Sequence, residues 1–261
     1  MHKDDKNRTN LLTEERRERI LSALHRDGRV LAADLSRTLG VSDDTIRRDL
    51  DALAEMGLLQ RVHGGALRRA HVNMDYTARQ ADATGAKQSI AQATAALIRP
   101  GQVVILDGGT TSLAVAQHLP ENLEATIMTT SPPVAVALAA YPGIEVITIG
   151  GRLYRYALVG VGASTVAELQ AVRADLCILG VLALHPEVGI SVLDREEAAV
   201  KRAMIEGAAD VIAPATQNKL TTVAPFIVGP TTSLTHLVTE AEVSEELLAP
   251  YRALGLTIIQ A

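Results

Sequence analysis

Between Leu31 and Gly57 the sequence LAADLSRTLGVSDDTIRRDLDALAEMG sets two short amphipathic periods on either side of Gly40, and that spacing leaves few folds open. Leu31, Leu35 and Leu39 form one row of a helix over about 31–39, and Gly40 just past it suits the left-handed residue that closes a helix. Ser42 is placed to cap a second helix, with Asp43 and Asp44 in its first turn, where the helix dipole favours acids. Ile46, Leu50 and Leu53 then recur at i, i+4 and i+7, so Asp44, Arg48 and Asp51 face away from the apolar stripe, with Thr45 and Arg47 on its flanks. An earlier helix starting near Thr13 offers Ile20, Leu21 and Leu24 to the same small core.

After Gly57 the chain reads LLQRVHGGALRR, two short strands around glycines that can take positive φ, with Arg61, Arg68 and Arg69 and no acid before Asp75. Three helices followed by a basic hairpin predict a winged helix-turn-helix, in which the second helix enters the major groove of duplex DNA. Thr45, Arg47 and Arg48, with Ser42 and Asp44 at the helix start, are the base-edge and backbone candidates, and Arg61 and His63 are the wing candidates.

The chain is 261 residues long, more than such a module needs, and its 48% hydrophobic content can fill a second core. Charge divides unevenly: residues 1–70 hold 14 Lys/Arg against 12 Asp/Glu, while residues 71–261 hold 11 against 18. One weakly basic module grips phosphates poorly, so a homo-oligomer, dimer or tetramer, on repeated half-sites is expected. Cys177 is the sole cysteine and sits in the apolar run LCILGVLAL, which excludes an internal disulfide. The seven histidines are scattered without an H-x-x-x-H pair, so neither a metal nor another cofactor is expected. The polar start MHKDDKNRTN and the lack of any apolar run of about 18 residues predict a cytoplasmic protein without a membrane partner.

Residues 71–88 are polar and weakly periodic and are read as a linker between a 1–70 DNA-binding domain and an 89–261 effector-binding and oligomerisation domain. Beyond them, apolar runs such as VVILD and ATIMTT alternate with Ala-rich stretches such as TSLAVAQHL, which predicts an α/β fold with a doubly wound, mainly parallel sheet. Ligands in such sheets bind past the carboxyl ends of strands. Asp107-Gly108-Gly109-Thr110-Thr111 lies at one such end and opens a helix, offering backbone N–H groups and hydroxyls to an anion. Thr129-Thr130-Ser131, Gly150-Gly151-Arg152 and Val159-Gly160-Val161-Gly162 are further polar or glycine-rich turns. Asp194, Glu197 and Lys201 fall at i, i+3 and i+7, where a plain Glu197–Lys201 ion pair is the alternative to a ligand contact.

The N-terminal segment VSDDTIRRDLDALAEMGLLQRVHGGAL resembles the DNA-binding domain of the DeoR family of bacterial transcriptional regulators. From about 75 to 240, DGGTT, TTS, GG followed by Arg, VGVG and D-x-x-E-x-x-x-K-R-x-M resemble that family's effector domain in order and spacing. The resemblance implies a fold similar to ribose-5-phosphate isomerase, a phosphorylated sugar or similar metabolite as effector, and double-stranded operator DNA as partner. By the same resemblance Asp107, Gly109, Thr110, Thr111, Ser131, Gly151, Arg152, Asp194, Glu197, Lys201 and Lys219 line the effector pocket. Thr216 stands where the family commonly has Asp in D-x-x-K. That departure argues for an altered effector and against isomerase chemistry, which needs a positioned base. The expected activity is a ligand-responsive regulator, a repressor of a carbohydrate or related operon, with no catalytic residues; a sugar-phosphate isomerase with an appended DNA-binding domain is the alternative.

Overall fold

The computed structural model describes residues 12–70, 75–81 and 85–261. The chain forms two compact units, Met1–Ala70 with Thr221–Val223, and His71–Leu220 with Ala224–Ala261.

In the first unit, helices α1 (Thr13–Asp27), α2 (Ala32–Leu39) and α3 (Asp43–Glu55) pack around Ile20, Leu24, Leu35, Ile46, Leu50 and Leu53. Ile46 and Leu50 are wholly buried, and each such side chain contributes about 1.5–3 kcal/mol by leaving water. Ser42 caps α3 by accepting a hydrogen bond from the Thr45 N–H at 3.2 Å. Gly40 closes α2 at φ 68°, in the left-handed region where a Cβ would be strained. The wing is the hairpin of β2 (Leu59–Val62) and β3 (Gly65–Arg69). On the other side of β3 lie β1 (Arg29–Leu31), antiparallel, and the short parallel strand Thr222–Val223.

Two features depart from the helical reading. Leu31 belongs to β1, where alternation turns Val30 inward and leaves Leu31 38% exposed, so Ala32 takes its place in the buried row. Asp49 lies outside the apolar stripe yet is buried, because Arg16 and Arg17 of α1 both donate to its carboxylate. A long guanidinium arm from a neighbouring helix satisfies an acid that no local pattern would place inside.

In the second unit, α4 (Tyr76–Ala81) and the start of α5 (Gly85–Ala95) occupy part of the stretch read as a linker. Helix α4 buries only Tyr76 along its length, so it leaves no apolar period in the sequence. The central sheet has seven strands in the order 257–260, 236–239, 208–214, 174–178, 103–106, 125–129 and 144–148, all paired in parallel. Alternation along its strands builds two cores. Val104, Leu106, Ile178 and Ile212 meet α5, α6 (Thr110–Gln117) and α7 (Pro132–Leu138) on one face. Ile105, Cys177 and Val211 meet α8 (Ala163–Gln170), α9 (Arg195–Glu206) and α10 (Glu245–Ala253) on the other. Burial pushes the Cys177 thiol up, as expected of a packed hydrophobe.

From strand 103–106 the chain runs outward to 125–129 and 144–148, then returns to build the opposite half beginning with 174–178. The order therefore reverses between 103–106 and 174–178, and the loops leaving those two strands diverge to form a crevice.

Candidate functional site

Two surfaces carry the residues of interest, one in each unit. On α3, Thr45 hydrogen-bonds the Ser42 hydroxyl at 2.9 Å, and Arg47 is exposed beside it. Arg48 pairs with Asp44 at 2.6 Å, both largely exposed. Such a solvated pair contributes at most about 1 kcal/mol, so Arg48 can exchange Asp44 for a base edge or phosphate at little cost. Arg61 differs: its Nε donates to Asp51 at 2.7 Å and its Nη1 to the Gly65 carbonyl at 2.6 Å, which spends the side chain on bracing the wing against α3. His63 is exposed at the tip of the hairpin.

In the second unit a cavity of about 490 Å³ opens at the reversal of strand order. Gly108 to Thr111 line it, with Gly109 at φ 99° immediately before α6, so the first N–H groups and hydroxyls of that helix face a ligand space. Gly180, at the end of strand 174–178, approaches so closely that a Cβ there would stand 2.6 Å from the Gly108 carbonyl oxygen, and only glycine fits. Beneath this turn lies a buried charge cluster. Asp107 accepts from the N–H of Gly108 at 2.7 Å and of Gly180 at 3.0 Å, and from the Lys201 ammonium. Lys201 also donates to the Gly180 carbonyl at 2.7 Å and lies 3.5 Å from Glu197. Burial alone would lower the Lys201 amine, but Asp107 and Glu197 outweigh it and hold the amine above the ordinary lysine range. Burial raises the Glu197 carboxyl, against the pull of Lys201.

The remaining lining is cationic and aromatic: Arg79, Lys87, Tyr156, Thr216, Asn218 and Lys219. The Arg79 guanidinium lies 3.8 Å above the Tyr156 ring and donates to the Tyr156 carbonyl, while Lys87 donates to the Arg79 carbonyl at 3.2 Å. The Tyr154 ring stands 6.1 Å from that of Tyr156. Lys219 keeps part of its surface open to the cavity, yet crowding by protein lowers its amine to about 8, reinforced by Lys87, Arg79 and Lys201. The Thr216 hydroxyl donates to Asn218 at 2.7 Å.

Of the residues expected in this pocket, Gly109, Thr110, Thr111, Glu197, Lys201 and Lys219 line the cavity, and Asp107 supports it from below. The others are not in the lining. Asp194 caps α9, accepting from the N–H groups of Glu196 and Glu197 at 2.9 Å. Arg152 pairs with Glu196 on the exposed surface. Gly151 packs against Thr165 and Val161, and Ser131 is buried with its hydroxyl unpartnered outside the lining. Of the four polar or glycine-rich turns expected to converge, Gly108–Thr111 enters the lining, joined by the unforeseen Gly180, while the other three pack behind it: Gly108 lies against Ser131 and Val159, Gly160 against Gly150, and the Gly160 N–H donates to the Thr130 carbonyl at 2.7 Å. Arg79, Lys87 and Tyr156 were not foreseen either; a cation on the first sensor helices was the available sign. No group of three or more His, Cys, Asp or Glu among the described residues is arranged to hold a metal.

The sequence matches the DeoR-like helix-turn-helix domain over residues 16–71 and the DeoR C terminal sensor domain over residues 82–241. The chain belongs to the DeoR family. Among relatives of this DeoR protein, the HTH-type transcriptional repressor GlcR of Bacillus subtilis is 36% identical over 79% of this chain and 80% of its own length. The glycerol-3-phosphate regulon repressor of Haemophilus influenzae is 32% identical over 86% of this chain and 88% of its own. A ribose 5-phosphate isomerase from Methanocaldococcus jannaschii aligns with 56% of this chain and 55% of its own at 14% identity and TM-score 0.36, too distant to carry an argument. This DeoR member is a DNA-binding transcriptional regulator with a sensor domain, and no described helix is long and apolar enough to cross a membrane.

Proposed function

We propose that this protein is a cytoplasmic repressor of a carbohydrate or related operon whose hold on operator DNA is released by a phosphorylated sugar or similar anionic metabolite. The reading rests chiefly on one observation: the Gly108–Thr111 turn and helix start face the same cavity as Arg79, Lys87 and Lys219. Amide N–H groups, hydroxyls and cations around one space suit a phosphate ester. Glu197 and Asn218 then offer partners to sugar hydroxyls. Function on DNA is as a homo-oligomer, because one copy of a weakly basic module makes few phosphate contacts.

The test is fluorescence anisotropy on the protein's own upstream DNA at fixed salt, titrated with phosphorylated sugars and their unphosphorylated counterparts. Release by phosphorylated compounds alone, lost in the Thr110→Val/Thr111→Val double variant, is the expected result. Indifference to every phosphorylated compound would overturn the effector class.

Two finer outcomes follow from the geometry. Arg47→Ala removes an exposed candidate for a guanine edge and is expected to weaken operator binding by about 1–3 kcal/mol, relaxing selectivity at one base position. Equal loss on every sequence would make Arg47 a phosphate contact instead.

The pH dependence has a definite sign. Below about 8 Lys219 is charged and attracts a dianion; above it the empty pocket holds a neutral amine that must take up a proton on binding. Phosphate-ester affinity is therefore expected to fall by up to about tenfold between pH 7 and 9, and Lys219→Met flattens the profile. A profile unchanged in that variant would remove Lys219 from the contact set.

A further inference from the structure

The chain carries 20 arginines and only five lysines, yet three of those five, Lys87, Lys201 and Lys219, line the sensor cavity. Positive charge alone does not account for that choice, because arginine supplies it elsewhere in the chain and grips phosphate with a fork that an ammonium lacks. What lysine adds is an amine that can give up its proton and share its lone pair. The three amines are not equivalent. Lys201 is held charged by Asp107 and Glu197 and donates to the Gly180 carbonyl. Lys87 donates to the Arg79 carbonyl at 3.2 Å. Lys219 ends the short turn Gln217–Lys219, crowded by protein, with Arg79, Lys87 and Lys201 acting on it as cations. Desolvation and a neighbouring cation are two conditions that activate a lysine as a nucleophile. With the amine lowered to about 8, about a tenth of it is unprotonated at pH 7, against less than about one in a thousand for an ordinary lysine. The same cavity holds the Gly108–Thr111 turn, whose amides and hydroxyls suit a phosphate group.

We infer that Lys219 forms a reversible imine with the carbonyl carbon of an open-chain sugar phosphate whose phosphate sits on the Gly108–Thr111 turn. The inference rests on the cavity being the effector site, and adds that the effector presents a free aldehyde or ketone. The neutral Nζ attacks the carbonyl carbon, the C=O π pair moves to oxygen, and nitrogen passes one proton to that oxygen through solvent. The carbinolamine so formed expels its hydroxyl, which leaves as water with the remaining amine proton while the nitrogen lone pair closes C=N. Hydrolysis reverses each step, so no oxidant or reductant is consumed and the effector is released unchanged.

The experiment treats the full chain with glyceraldehyde 3-phosphate, which carries a phosphate and an aldehyde and is too short to close a sugar ring. Sodium cyanoborohydride is present to reduce any C=N bond to a stable secondary amine. Glyceraldehyde, without the phosphate, and glycerol 3-phosphate, without the carbonyl, are the comparison compounds. Proteolysis and mass spectrometry then locate the adduct, with the α-amine of the chain as the reference for reagent reactivity. The expected result is an adduct on Lys219 at least about tenfold above that on Lys87 or Lys201, because only a nucleophile held beside the bound carbonyl gains from proximity. Glyceraldehyde is expected to label Lys219 about tenfold less while labelling the α-amine equally, and excess glycerol 3-phosphate to suppress the Lys219 adduct alone. Lys219→Arg, which keeps the charge and removes the nucleophile, is expected to abolish the adduct; the wild-type map decides the question even if that variant fails to fold. An adduct spread evenly over the lysines, or one indifferent to the phosphate, would overturn the imine. So would the absence of any Lys219 adduct in a protein whose unfolding temperature both phosphate esters raise, and the pocket reading would then stand. An unfolding temperature that neither ester moves would overturn the pocket reading itself.

Discussion

Replacing Asp107 with Ala is expected to lower the unfolding temperature of the sensor unit by roughly 10 °C, an effect of about 3–5 kcal/mol. The Asp107 carboxylate meets three donors at once: the Lys201 ammonium and the N–H groups of Gly108 and Gly180. Both it and Lys201 are almost wholly withdrawn from water. Truncation leaves a buried cation with only the more distant Glu197, at 3.5 Å, to balance it, and strands two amides at the mouth of the cavity. Adding Lys201→Met should recover the part of the loss owed to the stranded charge and none of that owed to the amides. Calorimetry of the single and double variants separates the two contributions. Full recovery in the double variant would mean that the amides had found water, and no loss in the single variant would refute the account of the cluster.

The second large effect is expected in the other unit. Asp49→Ala removes the carboxylate shared by Arg16 and Arg17, and with it the polar tie between α1 and α3. A loss of about 3 kcal/mol is a large part of the stability of so small a domain. DNA binding should therefore fall steeply on warming, while the sensor unit keeps its own transition. Circular dichroism melting alongside anisotropy checks this: two separated transitions are expected, and a single unaltered one would show the pair to be dispensable. Asp49→Asn is expected to lie between, since the amide oxygen still accepts but carries no charge.

Most of the architecture could be read from periodicity, because each long element has one dominant environment. Ile46, Leu50 and Leu53 recur with helical spacing and are buried. The continuous apolar strands announced a sheet covered on both faces. What could not be read was whatever depends on a partner distant in sequence. Asp49 looks like a surface acid until the guanidiniums of α1 reach it. Arg61 looks like a free wing cation until Asp51 and Gly65 claim it. Asp194 shares a face with Glu197 on a helical wheel, but it precedes the helix and spends its carboxylate on the cap. In the sensor, the DGGTT turn was legible because a strand end, two glycines and a helix start coincide in one short string. Gly180 was not, since its meaning comes from the Gly108 carbonyl packed against it.

The aromatic character of the sensor has an optical consequence. The chain has no Trp, five Tyr and one Phe, so its near-ultraviolet emission is dominated by phenols. Tyr156 and Tyr76 flank the Arg79 guanidinium, and Tyr154 lies a ring's distance from Tyr156. Three of the five tyrosines thus cluster around Arg79 and Tyr156, two residues that line the cavity, and an introduced tryptophan would report without any competing indole. Energy transfer from these tyrosines to such an acceptor offers a label-free ruler whose donor end is fixed by the fold.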